Sequence, residues 1–218
     1  MFNWFKKKNT KVADKAPEVL GLRLGGAFDL DTIKMTFIEP ELIIDGAAKT
    51  QFIEAVGVVQ LDPQTTVLRY YTDDEGYIQI LVRGSIANGS LTDENIEDVK
   101  LMYFYDTKGI ANDKDWDNAL DRDISQPSLY LQGHTFTRVW QTSGESSPPV
   151  AMTEKTYAKD GSICETDQFA MLYERQFSDQ KFEYAMLIGE EKIINNQHDR
   201  CLVTVTGFDL QPSDIYII

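Results

Sequence analysis

The amino-acid sequence predicts an α+β protein made predominantly of antiparallel β-sheets, with few short helices. Three observations lead there. Runs rich in Val, Ile, Thr, Tyr and Phe recur along the chain, and such residues fit the pleated surface of a strand. Turn signals return roughly every eight to twelve residues, the spacing of consecutive antiparallel strands and not of βαβ units. Only one segment carries a strong helix pattern.

Taken in order, residues 1–18 read as a flexible basic and aromatic tail that Pro17 ends, and 19–218 as a single β-rich domain. Residues 20–24 alternate toward Gly25-Gly26, 33–38 alternate into Glu39-Pro40, and 41–44 run into Asp45-Gly46, so each is expected to be a strand. Residues 52–61 form an apolar, β-branched run that Asp62-Pro63 ends. Runs 66–71 and 77–82 flank the acidic, Gly-ended stretch 72–76, the signature of a hairpin. Residues 99–105 are an aromatic strand. Residues 112–122 are the best helix: Asn112 or Asp113 can cap it, early aspartates suit its dipole, and Trp116 and Leu120 lie one turn apart. A strand at 135–140 and a loop at 142–149 follow. The last third repeats the hairpin style, with strands at 152–157, 169–173, 182–188, 201–206 and 215–218. The likeness of 66–82 to 169–188 raises an internal duplication with halves 19–110 and 130–218, although any two hairpins share that pattern.

Charge narrows the function classes. The chain of 218 residues has 21 basic and 35 acidic side chains, a formal net charge of -14. Such a surface repels phosphate backbones, so no nucleic-acid partner is expected, and a basic partner suits it better. The imbalance is uneven. Lys6, Lys7, Lys8, Lys11 and Lys15 stand against Asp14, a net +4, which leaves -18 for the remaining residues. Two cysteines, Cys164 and Cys201, make no CxxC pair and read as reduced packed thiols. No apolar run is long enough to span a bilayer, and the polar residues after Lys8 do not make a signal peptide. The expected location is cytoplasmic, with peripheral contact at the inner face of the membrane.

Chemistry is hard to find. His198 and Cys201 lack a second ligand pair, so no metal site is expected. Asp113, Asp115 and Asp117 open like a calcium loop, but Asn118 and Ile124 stand where it needs glycine and glutamate. No nucleophile elbow and no phosphate-cradling glycine motif is present, so no catalytic or cofactor-binding residue is assigned. The acidic pairs within 73–75 and at Glu190-Glu191 could serve glycosidase chemistry only at a fixed separation that sequence does not show. Were there a pocket between sheets, His134, Tyr103 and Glu154 would be its candidates. The most suggestive stretch is the tip, where Phe2, Trp4 and Phe5 precede Lys6, Lys7 and Lys8. Aromatics suit a bilayer interface and lysines attract anionic headgroups, so weak anionic-lipid contact is expected there.

Long segments also resemble, in order, the YjfK-like bacterial family of unknown function: LGLRLGGAFDL (20–30), LIIDGAAKTQFIEAVGVVQLD (42–62), LRYYTDDEGYIQIL (68–81), DVKLMYFYDTKG (98–109), LQGHTFTRVW (131–140), PPVAMTEKTYAKDGS (148–162) and NQHDRCLVTVTGFDLQPSD (196–214). The resemblance carries no catalytic residue. It implies a gene encoded near those of membrane-stress proteins of the phage-shock-protein A type and of glutathionylspermidine-synthase-like ligases, an association and not a mechanism. Together these readings predict a non-enzymatic interaction or accessory protein linked to membrane-stress assemblies. The alternative is a small-molecule-binding protein or enzyme whose pocket the sequence does not declare.

Overall fold

A computed structural model describes residues 15–86, 89, 91–140 and 144–218. Within them the chain makes β1 (Ala27–Leu30), α1 (Thr32–Ile38), β2 (Thr50–Asp62), β3 (Thr65–Thr72), β4 (Gly76–Arg83), β5 (Ile96–Gly109), α2 (Asp113–Asn118), β6 (Ser128–Leu131), β7 (His134–Arg138), β8 (Val150–Ala158), β9 (Ile163–Ser178), β10 (Lys181–Ile194), β11 (Gln197–Asp209) and β12 (Ile215–Ile217). The fold class is as the patterning predicts: sheet dominates and every named strand pair is antiparallel.

Tight turns generate the sheet. Glu75 turns β3 into β4, Gln180 turns β9 into β10, and Asn195 with Asn196 turns β10 into β11, all at positive φ. Asn tolerates that conformation well, and two such residues in succession match the twist of a two-residue hairpin. The result is two four-strand meanders, β2 to β5 and β8 to β11. Their outer strands meet: β2 pairs with β8, and β5 pairs with β11. The ladder therefore runs β2-β3-β4-β5-β11-β10-β9-β8 and returns to β2, closing an eight-stranded barrel. Closure leaves these strands no free edge along most of their length.

Because side chains alternate across a strand, each strand divides its residues between two faces. The inner face holds Tyr77, Met102, Leu172, Met186, Ile188, Val203 and Val205. The outer face of the first meander carries Val56, Val58, Leu68, Tyr70, Ile78, Ile80 and Leu101, covered by Val19, Leu22, Phe28, Met35 and Ile38 of the preceding segment. The outer face of the second packs Met171, Tyr173, Ala185 and Leu187 under Ile124, Phe136 and Leu129. Being buried on both faces explains why β3 reads as a nearly continuous apolar run. A second small ladder, β12-β1, extends the first three residues of β2.

The first fifty residues depart from expectation. Residues 33–38 are not a strand but helix α1, because Asp31 caps it by accepting from the Ile33 and Lys34 amides and because burial falls on Met35 and Ile38 at helical spacing. Residues 41–44 are not a strand either; a 3-10 turn at Glu39–Glu41, with Pro40 in its first turn, is followed by irregular chain. Residues 20–24 form a tight turn closed by a Val19–Leu22 bridge, with Leu20 at φ 56. Elsewhere the expected strands form, and helix 112–122 appears as α2 followed by a π-helical turn at Ala119–Asp123.

Candidate functional site

The interior of the barrel is not purely apolar. Position 69 of β3 and position 154 of β8 both point inward, and the closing β2–β8 ladder brings them together. Arg69 Nη1 lies 2.9 Å from Glu154 Oε2, with both side chains at most 3% exposed. The Tyr71 hydroxyl donates to both oxygens of Glu154, at 2.8 and 3.0 Å. Gln168 from β9 accepts from Arg69 at 2.7 Å and donates to Glu154 at 2.8 Å. Gln79 from β4 accepts from Arg69 Nε at 3.0 Å. Burial, the largest influence, opposes the charge of Arg69, but Glu154 together with Tyr71 and Tyr77 outweighs it and raises the pKa. Burial, then Glu154, holds the Tyr71 hydroxyl well above its usual value.

Gly57 on β2 makes room for this cluster. A Cβ there would sit 1.6 Å from Glu154 Oε1 and 3.0 Å from the Tyr71 ring. Deeper on the same network, the Gln168 amide also donates to Glu190 Oε1 at 2.9 Å. Burial first, and the charge of Glu154 second, raise the Glu190 carboxyl above the ordinary glutamate value. Cys201 shares this region, and burial pushes its thiol up to about 11. The Tyr77 hydroxyl is buried with no hydrogen-bond partner among the described residues.

Toward the other end the barrel widens into a cavity of about 480 Å³. Its wall is mainly apolar, from Leu61, Val67, Leu81, Met152, Leu172 and Met186, with Trp140 beyond the end of β7. Arg69 and Gln79 form its polar inner end, and Lys100 its polar flank. Lys100 is held by Asp98 at 2.9 Å and Asp209 at 2.6 Å, and lies 4.1 Å over the Tyr184 ring. The position of the cavity follows from the ladder. Pairing between β2 and β8 runs from Ala55–Ala158 to Val59–Glu154 and stops. Gln60 and Leu61 on one side, and Val150 to Met152 on the other, then line an opening at the seam.

Of the pocket candidates, Glu154 alone is inside. Tyr103 lies on the outer face of β5, bonded to Gln51 and Asp74, and His134 is exposed at the start of β7. The acidic stretch 73–75 is structural. Asp74 accepts from the Ala48 amide, Gln51 and Tyr103, and Asp73 from the Phe52 amide. Glu190 and Glu191 point to opposite faces, the latter binding Arg200 and His198 outside. Asp113 pairs with Arg200, and no group of metal-ligating side chains gathers among the described residues. The tip residues Phe2, Trp4, Phe5, Lys6, Lys7 and Lys8 lie outside the described residues. Sequence reasoning missed Arg69, Gln79, Gln168 and Lys100. For Arg69, Gln79 and Lys100 the available signal was a polar residue with apolar neighbours on both sides in a strand; Gln168 follows the polar residues 165–167 and had no such signal.

Comparison with known proteins agrees with the segment-by-segment resemblance. The chain is 28% identical over 217 residues to the uncharacterized protein YjfK of Escherichia coli (strain K12), covering 98% of this chain and 96% of that protein. No solved structure matches. A family model described as "Protein of unknown function (DUF2491)" matches residues 1–216, so the chain belongs to that family.

Proposed function

We propose that the protein is a non-enzymatic binding module whose barrel takes up one small, largely apolar molecule. The observation that carries this is the apolar-walled cavity inside the closed barrel, open at the β2–β8 seam. Its volume of about 480 Å³ lies within the range of small-molecule sites, and eight strands leave an interior able to hold one small ligand. A catalytic role has less support, because the charged groups of the wall are committed to protein partners: Arg69 to Glu154, and Lys100 to Asp98 and Asp209. The test is fluorescence titration with diphenylhexatriene, a neutral apolar dye. Binding near one dye per chain, lost when Leu172→Trp fills the cavity, is the expected result; no binding to the intact chain contradicts it.

A second property favours a place beside the membrane. Phe2, Trp4 and Phe5 followed by three lysines, on a chain otherwise strongly acidic, support peripheral contact with anionic lipid and a basic or membrane-associated protein partner. On this reading the protein is an accessory component of a membrane-stress assembly on the cytoplasmic side. Flotation with anionic liposomes should carry the full chain in a salt-sensitive manner and leave a chain lacking residues 1–15 behind. Equal behaviour of the two removes the tip from the proposal.

A further inference from the structure

We infer that the barrel's ligand is electrically neutral, with an aliphatic body and a single oxygen acceptor at its buried end, as in an aliphatic ester or ketone. The inference rests on the reading of the cavity as a ligand site and adds the chemical class. The aliphatic body follows from Val67, Leu81, Met152, Leu172 and Met186 along the wall.

The acceptor follows from what stands at the inner end. Arg69 donates through Nε to Gln79 and through Nη1 to Glu154 and Gln168, with the Tyr71 hydroxyl also beside it, so its donors are largely engaged. Gln79 uses its oxygen to accept from Arg69, which turns its amide NH2 away from that contact, and this NH2 has no acceptor among the described residues. One pair deeper on β4, the Tyr77 hydroxyl is buried without a partner. The Tyr77 hydroxyl does not line the cavity, so the unused capacity of the lining here is the Gln79 donor. A buried donor gains from an acceptor and is costly to leave unmet.

Neutrality follows from the charges already present. Arg69 is answered by Glu154, and Lys100 by both Asp98 and Asp209. The interior cations are therefore matched or exceeded by fixed acids. A bound carboxylate would be a further anion in a low-dielectric space with no unanswered cation, and such burial is strongly unfavourable. A cationic ligand would meet the Arg69 guanidinium and the Gln79 donor at the inner end, and Asp98, the acid of the lining, is already paired with Lys100. The net charge of -14 also works against an approaching anion.

The experiment is displacement of diphenylhexatriene from the full chain by three probes of equal length, below their micelle concentrations and at pH 8: methyl decanoate, decanoate and decyltrimethylammonium. Methyl decanoate should displace the dye at a concentration lower by at least about tenfold than either charged probe, roughly one tenfold step in affinity. Gln79→Leu should weaken the ester by about tenfold relative to its effect on the dye, which has no acceptor. Decanoate or the ammonium probe matching the ester overturns the neutral class yet leaves the cavity a ligand site. Unchanged ester affinity in a Gln79→Leu chain that still binds dye overturns the acceptor assignment. Should that variant not fold, the three-probe comparison on the unaltered chain still decides. Failure of the dye itself to bind removes the underlying site.

Discussion

Arg69 and Glu154 are separated by 85 residues in sequence and 2.9 Å in space. A buried pair of this kind stabilises little relative to an apolar replacement, yet losing one member leaves a stranded charge. Glu154→Gln should therefore cost about 3–5 kcal/mol, measured by denaturant unfolding. The double substitution Arg69→Met with Glu154→Leu should be less destabilised than either single change, and equal or larger loss in the double would show that the pair itself stabilises. Glu190 gives a pH signature. Its folded carboxyl titrates above the ordinary value of 4.5, so the unfolded chain releases that proton first as pH rises. The folded state is then penalised increasingly above 4.5, fully so once the raised folded value is passed. Glu190→Gln should raise the melting temperature near neutral pH, with the gain shrinking toward pH 4.5; a gain independent of pH would rule this out. At this scale the sequence was only partly legible. Glu154 is among the pocket candidates, but the inward direction of Arg69, Gln79 and Gln168 depends on register, and register depends on the partner strand.

Elements were more legible where turns and strands alternate regularly than where the chain wraps the barrel. Residues 33–38 satisfy both a strand and a helix pattern because the run is short, and the tie is broken by the Asp31 cap and by where burial is offered. Strand β6 and strand β1 are four residues each and carry no periodicity strong enough to announce them. Within β2 the decisive residue is Gly57, whose missing side chain admits the Glu154 carboxylate and the Tyr71 ring. Gly57→Ala should destabilise by about 1–3 kcal/mol, the ordinary cost of overpacking. Gly109 on β5, with nothing within 4 Å of an added Cβ, is the control. Gly109→Ala should change stability far less in the same unfolding assay. Equal losses at both sites would mean that strand propensity, not the crowding around Glu154, sets the cost.

For the whole molecule, closure is the property the sequence hid. Each meander is local and readable from its hairpins, but nothing in a hairpin says which distant edge it will meet, and both β2–β8 and β5–β11 are such meetings. The two joints are unequal. The β2–β8 ladder ends at Val59–Glu154, whereas β5–β11 runs from Lys100–Asp209 to Gly109–Cys201. Backbone amides along β2–β8 should therefore exchange with deuterium faster than those along β5–β11, and ligand in the cavity should slow them. Uniform protection around the barrel would mean the seam is no weaker than the rest. The β2–β8 joint, whose strands lie far apart in sequence, has a consequence during synthesis. At translation rates of about 5–20 residues per second, the 85 residues between Arg69 and Glu154 take roughly 4 to 17 s to emerge. Through that interval the first meander is an open trough, its guanidinium wet and its apolar lining uncovered. A nascent chain of this protein is thus a client for whatever shields hydrophobic surface at the ribosome, until β8 brings the counter-charge and the rest of the second meander follows to shut the trough.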